Sequence, residues 1–330
     1  MLTKNRVGGV LAALTVSLFI FSLSLGGADI SWQDIIKFAS GGEIDEIKET
    51  ILLEIRLPRV IMAFLIGMLL ASSGVVVQSV FLNPLADPYI IGIASAATFG
   101  AVAAYLLKLP DFYYGVFAFF SAAILSVLIF KLSKKGKSIA TLLIIGIAFS
   151  SFLGAFTSFA TYLIGEDSFK IVAWMMGYVG SANWEKIAYI SVPLVLSMAY
   201  FYSKRFELNV ILSGDEEAQS LGVDVEKIKK RLLIVSSLAV AFSVAFTGMI
   251  GFVGLIIPHL SRMLVGANHQ QLLPCTLLMG ALYLIIVDTL ARTLSTSEIP
   301  VSIITSLLGA PLFAVLVYQL RRGQKEQFSE

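Results

Sequence analysis

Apolar residues occupy this chain in long unbroken blocks, and the polar residues are confined to short stretches between them. No Asp, Glu, Lys or Arg interrupts residues 7–28, 60–86, 88–107, 112–130, 138–165, 187–203, 232–258 or 299–320. Each block approaches or exceeds the ~20 residues that carry a helix across a bilayer. The pattern predicts an all-α polytopic membrane protein with about ten transmembrane helices. The first six spans fall at 7–26, 60–81, 89–107, 112–130, 140–164 and 187–202. A seventh starts at Leu232, a short eighth follows the bend at Gly248, Gly251 and Gly254, a ninth starts near Leu272, and a tenth covers 301–320. So much of the 330-residue chain is used this way that residues 1–330 read as a single transmembrane domain.

The polar breaks refine this picture. Two prolines in Asn83-Pro84-Leu85-Ala86-Asp87-Pro88 forbid a continuous helix beyond span two. Irregular backbone near membrane depth needs protein or water around it, so this hairpin is expected to line a cavity, with Gln78 just before it. Gly67, Ala71, Ser72, Ser73 and Gly74 form a small-residue patch that places span two in the middle of the bundle. Along span five, Ser150, Ser151, Thr157, Ser158 and Thr161 either bond local carbonyls or line a polar path. Residues 28–56 read as short amphipathic helices on the external face, with Trp32 at the interface. A further external helix carries Trp174 to Gly177, and Trp184 leads into span six. Arg56 and Arg59 are either snorkelling anchors or pairing groups for a partner's carboxylates.

The largest polar island is 204–231, between spans six and seven, with 12 charged residues. Asp215 to Gly222 reads as a short helix capped by Ser213, with acids in its first turn and Gly222 as its stop. A second short helix is expected behind Asp224, from the helical spacing of Val225, Ile228 and Leu232. A solvated connection and a compact shape for another protein to grip both fit these residues.

Composition agrees with the spans: 57% of residues are hydrophobic and 14% charged, against roughly 25% charged in soluble domains. Mean hydropathy is +0.87. The net charge of +2 says little, but 16 of the 24 basic residues lie at the N-terminus, at 131–137, in the island, at Arg262 and at the C-terminus. The positive-inside rule makes those segments, and both termini, cytoplasmic. The first block is too long for a signal-peptide core and is kept as a span. Cys275 is alone, so neither a disulfide nor a cysteine metal site is available. Gly136-Lys137-Ser138 mimics the end of a phosphate-binding loop, but Lys131 stands where the motif needs glycine. His259 alone makes no metal site, and His269 is expected on a cytoplasmic turn, both as structural residues. The spans are bare of ionisable groups, unlike those of a proton-coupled secondary transporter, and hold no polar cluster for an intramembrane enzyme. Any driving energy must enter from outside, and the island is the one large cytoplasmic feature to receive it.

RLPR at 56–59, NPLADP at 83–88, WMMG at 174–177, EEAQSLG at 216–222, GFVGLIIPHLSR at 251–262 and EIPVSIITSLLGAPLFA at 298–314 together resemble the permease subunits of binding-protein-dependent ABC importers for iron-siderophores, heme and cobalamin. The resemblance runs from about residue 50 to the C-terminus. It implies a multi-pass permease of a bacterial or archaeal cytoplasmic (inner) membrane, paired with a second copy in a homodimer. Two ATP-binding cassette subunits and a periplasmic or lipid-anchored substrate-binding protein would be its partners, alongside membrane lipid and with no nucleic acid. The permease itself would be no enzyme and hold no cofactor or metal, ATP and Mg being used by the ATPase. By the same resemblance Gly214, Asp215, Glu216, Glu217, Ala218, Leu221 and Gly222 form the coupling element seated in the ATPase. Arg56, Arg59 and Arg292 meet glutamates of the binding protein. Gln78, Asn83 and Leu85 lie at the pathway and its inner constriction. A second inner gate falls at Ile139 and Ala140, where the cobalamin permease carries small hydroxylated residues. The cargo implied first is a ferric siderophore, with cobalamin, heme or another metal compound as alternatives.

Overall fold

A computed structural model describes residues 4–132, 139–295 and 297–327. The phosphate-loop mimic at 136–138 lies outside them, as do the side chains of Ile139 and Ala140. Among the described residues the regular structure is helical throughout. Ten helices stand where spans were expected: α1 (Lys4–Ser24), α4 (Leu57–Val80), α5 (Ile93–Leu106), α6 (Phe112–Leu132), α7 (Ile139–Ile164), α9 (Trp184–Ser203), α12 (Val225–Thr247), α13 (Val253–Val265), α14 (His269–Thr293) and α15 (Val301–Gln327). Shorter helices lie between them: α2 (Trp32–Ala39), α3 (Glu46–Thr50), α8 (Phe169–Met175), α10 (Arg205–Ile211) and α11 (Asp215–Ser220).

The small-residue patch does put α4 at the centre, buried along nearly its whole length. A Cβ on Gly67 would lie 2.2 Å from the Gly280 carbonyl oxygen of α14, and one on Gly74 would lie 1.9 Å from that of Gly254 in α13. Only glycine lets these backbones touch. Gly74→Ala is therefore expected to wedge α4 from α13 and cost about 1–3 kcal/mol, the usual penalty of overpacking. Gly154→Ala on α7, where a Cβ meets nothing within 4 Å, should leave the melting temperature unchanged or slightly raised. Thermal unfolding of the two variants in detergent checks the contrast.

Helices α5 and α13 are too short to cross alone: their 14 and 13 residues span about 20 Å of a hydrocarbon layer ~30 Å thick. Span three, expected from Tyr89, begins as helix only at Ile93. Turns over 81–92 and irregular backbone over 248–252 supply the remaining depth. The two breaks meet beside α4. A Cβ on Gly254 would touch Pro88 at 2.5 Å and the Leu70 carbonyl oxygen at 3.0 Å, and the Tyr89 hydroxyl donates to the Ile250 carbonyl at 3.3 Å. Tight local bonds occupy the freed backbone groups: Ala86 N–H to Asn83 O, Ile90 N–H to Asp87 O and Gly92 N–H to Tyr89 O. The irregular backbone is thus packed against protein at Ala86, Pro88 and Ile250, while residues 82–84 are exposed.

At one end of the bundle, here the far end, Ser31 and Asp34 form a capping box on α2. Lys48 ties α3 to it, its ammonium 2.8 Å from the Asp34 carboxylate and holding that group down at about 2. Trp32 stacks on Phe21 of α1 with centroids 5.8 Å apart, and the chain then runs into α4 through Pro58. The amphipathic segment expected at 28–56 is therefore helical over 32–39 and 46–56, and is tied to the bundle through Trp32 and Arg56. The opposite, island end holds α10, α11 and the start of α12.

Candidate functional site

Helix α11 is built differently at its start from the sequence expectation. Ser213 makes no capping bond; the N-cap is Gly214 at φ +113°, a conformation open to glycine. At the other end Gly222, at φ +84°, closes a Schellman motif, with Val223 N–H to Ala218 O and Gly222 N–H to Gln219 O. The second short helix expected behind Asp224 is not separate. Asp224 does cap it, accepting from Lys227 N–H at 3.1 Å, but Val225, Ile228 and Leu232 open α12, which continues to Thr247. No glycine or proline lies between to stop it. The island's other helix is α10, which the sequence reading missed; its signal is Leu208 and Ile211, three apart and fully buried.

These elements give α11 an inner and an outer face. Ala218 is fully buried. Lys229 of α12, itself buried, reaches the Asp215 carboxylate at 2.5 Å and braces the first turn. Asp215 is thereby committed within the chain, whereas Glu216 and Glu217 are exposed. Leu221 stands 70% exposed beside them. The outer face of α11 therefore presents two carboxylates and an uncovered leucine on a braced helix.

The expected pathway residues separate into two groups. Asn83 and Leu85 form one local turn just beyond α4: the exposed Asn83 accepts from Leu85 N–H at 2.9 Å. Gln78 is turned into the packing between helices. It is 2% exposed; its amide donates to the Leu255 carbonyl at 3.0 Å, and its oxygen accepts from Arg262. A buried amide must find partners, and Gln78 finds them by clamping α4 to α13.

At the far end the structure brings Arg56, Arg59 and Arg292 together, but not as free groups. Arg59 donates through Nε to both Asp288 oxygens at 3.0 and 3.1 Å and through Nη1 to Glu298 at 2.6 Å. Arg56 donates to the Leu23 and Ala28 carbonyls at 2.6 and 2.5 Å. Arg292 donates to the Leu25 and Ser22 carbonyls at 2.8 and 2.5 Å, and its Nε stands 3.7 Å from Asp288. Neither snorkelling nor an open docking patch describes them, because guanidiniums buried where helix ends converge need partners inside the chain. The sequence reading missed Asp288 and Glu298 as those partners; the signal was Asp288 one helical turn before Arg292. Only Glu298, 41% exposed at its side chain, reaches solvent.

Compared with known families, residues 14–319 match the FecCD transport family. The chain belongs to this family. Its relatives include the molybdate import system permease MolB of Haemophilus influenzae, 40% identical over 326 residues and 95% of each chain. The hemin transport permease HmuU of Yersinia pestis is 38% identical over 95% of each chain. The cobalamin import permease BtuC of Halobacterium salinarum is 41% identical over 83% of this chain and 75% of its own. A solved structure of a metal-chelate-type ABC transporter, inward-facing, superposes with TM-score 0.87 at 40% identity, covering 96% of this chain and 99% of the other. This FecCD chain is a multi-pass membrane permease of the ABC-importer class.

Proposed function

We propose that this FecCD permease works as a homodimer in a bacterial or archaeal cytoplasmic membrane, driven at its island end by two ATP-binding subunits and supplied at its far end by a binding protein. Both termini and the island then face the cytoplasm. ATP and Mg belong to the ATPase, and this chain needs no cofactor. The observation that carries the reading is the braced α11, which turns Glu216, Glu217 and Leu221 outward while Lys229 holds Asp215. The packing of the bundle's centre supports the dimer. With α4 touching α13 and α14 backbone to backbone, the centre of the protomer is closed at those contacts, which favours a path between copies. Helix α7 offers exposed Phe152, Phe156 and Phe159 and exposed Ser151 and Ser158 for that surface. At the far end, Arg59 would trade Glu298, its solvent-reaching counter-ion, for a carboxylate of the binding protein.

The cargo we favour is a ferric siderophore. A path lined by small, apolar and hydroxyl groups suits a compound that keeps its own metal ligands. A second reading, molybdate, is favoured by the similarity to MolB along nearly the whole chain. Proteoliposomes holding the permease, its co-purified ATPase and the cognate binding protein decide between them when offered labelled ferric siderophore, hemin, cobalamin and molybdate in parallel. ATP-dependent accumulation of the siderophore is expected. Accumulation of molybdate alone selects the second reading, and uptake driven by an ion gradient without ATP contradicts both.

A further inference from the structure

Helix α10 leads into α11 through the single turn 212–214, closed by Ser213 N–H to Val210 O and Gly214 N–H to Ile211 O. Whatever moves α11 therefore moves α10. On its inner side α10 meets a buried chain of polar groups that no step above has used. His269, the first residue of α14, is fully buried. Its backbone N–H donates to Asn209 Oδ1 of α10 at 2.8 Å, and its Nδ1 lies 2.7 Å from the same oxygen. A backbone N–H can only donate, so that oxygen is the acceptor and the ring carries its proton on Nδ1. Nε2 is then an acceptor for the Ser79 hydroxyl of α4, 2.8 Å away, whose single hydrogen turns between Nε2 and the Val75 carbonyl of its own helix, also at 2.8 Å. Asn209 spends its amide hydrogens on Asn268 Oδ1 at 3.1 Å. Ser79 is itself buried, next to Gln78 and its clamp on α13. The irregular segment starts from the same turn, with Asn83 N–H on Gln78 O at 3.0 Å.

We propose that His269 is the positioning residue that makes α10 and the inner end of α4 one rigid body, so that motion imposed on α11 reaches the 81–92 segment without slack. The proposal rests on the reading of α11 as the ATPase contact. Two attachments then leave α11: the Lys229–Asp215 brace to α12, and the Asn209–His269–Ser79 chain to α4. A buried chain of this kind holds a single geometry only while every member is satisfied. Removing the ring unlinks α10 from α4: Asn209 keeps only the backbone N–H of residue 269, and Ser79 falls back on the Val75 carbonyl of its own helix.

The test uses the permease complex with its co-purified ATP-binding subunit in lipid nanodiscs, in a Cys275→Ser background. Spin labels go on exposed positions of the two parts, Phe206→Cys on α10 and Leu82→Cys after α4. The distance within a protomer is measured nucleotide-free and after trapping with ATP and vanadate. One narrow distance, the same in both states, is expected for the parent and for His269→Gln, whose amide can donate to Asn209 and accept from Ser79. Loss of that narrow distance, or its shift on trapping, is expected for Ser79→Ala and His269→Ala. Ser79→Ala removes one hydroxyl and keeps the test open if His269→Ala does not fold. A narrow, unshifted distance in the alanine variants overturns the proposal, even with a lowered melting temperature. So does a parent distance that changes with nucleotide, or a glutamine variant as loose as the alanine. Absence of any co-purified ATP-binding subunit instead strikes the underlying reading of α11.

Discussion

Reversing the outer charges of α11, Glu216→Lys with Glu217→Lys, is expected to abolish ATP-driven uptake and to release the ATPase while the permease stays folded. Both carboxylates are exposed, and among the described residues neither is ion-paired within the chain, so stability should fall by only about 1 kcal/mol, from two cations in the first turn of α11. Their effect on a partner is much larger. Replacing charge complementarity by like charges costs several kcal/mol at an interface, and about 1.4 kcal/mol is a factor of ten. At least about a hundredfold less co-purified ATPase is therefore expected. Asp215→Asn should behave differently, because its partner Lys229 is inside the chain: the brace weakens and uptake falls while the outer face keeps its charge. Pull-down from solubilised membranes, with unfolding temperature measured on the same samples, separates these outcomes. Full ATPase recovery and full uptake in the double reversal would remove α11 from the drive.

The second large effect is expected at the far end. Asp288 is 1% exposed between Arg59 and Arg292, and Asp288→Ala leaves buried guanidiniums without their shared carboxylate. Removing one member of a buried charge pair typically costs about 3–5 kcal/mol. Both arginines keep other acceptors, Glu298 for Arg59 and the Ser22 and Leu25 carbonyls for Arg292. Partial folding with a strongly lowered melting temperature is therefore expected, rather than complete loss. Glu298→Gln should cost far less, since water already screens that partner. Equal melting temperatures for Asp288→Ala and the parent would show that the cluster does not hold this end together.

These two sites differ in how readily the sequence gives them away. Helix α11 is legible because its signals are local: acids in a first turn, a stopping glycine, and polar neighbours between apolar blocks. Most spans are legible for the same reason, since an unbroken apolar run needs no knowledge of its neighbours. Prolines 84 and 88 and the glycines at 248–254 mark real breaks, but not that the two breaks meet, because the Tyr89 bond to Ile250 joins residues 161 apart in the chain. The same limit hid the role of Gln78, whose partners lie in α13, and turned three arginines expected to face outward into an internal cluster. A charge near a helix end reads the same in sequence whether its counter-ion belongs to a partner or to a helix 229 residues away, as Asp288 is from Arg59. His269 was legible only as a structural residue, its partners being held by α4 and α10.

Leu221 is the place to ask whether α11 is where this permease is driven. A photo-crosslinking side chain placed there, at a 70% exposed position beside Glu217, reports what touches the helix in the native membrane. The account expects one dominant protein adduct, an ATP-binding subunit, lost when Glu216 and Glu217 are reversed. Adducts to lipid or to other proteins, with none to an ATP-binding subunit, would contradict it.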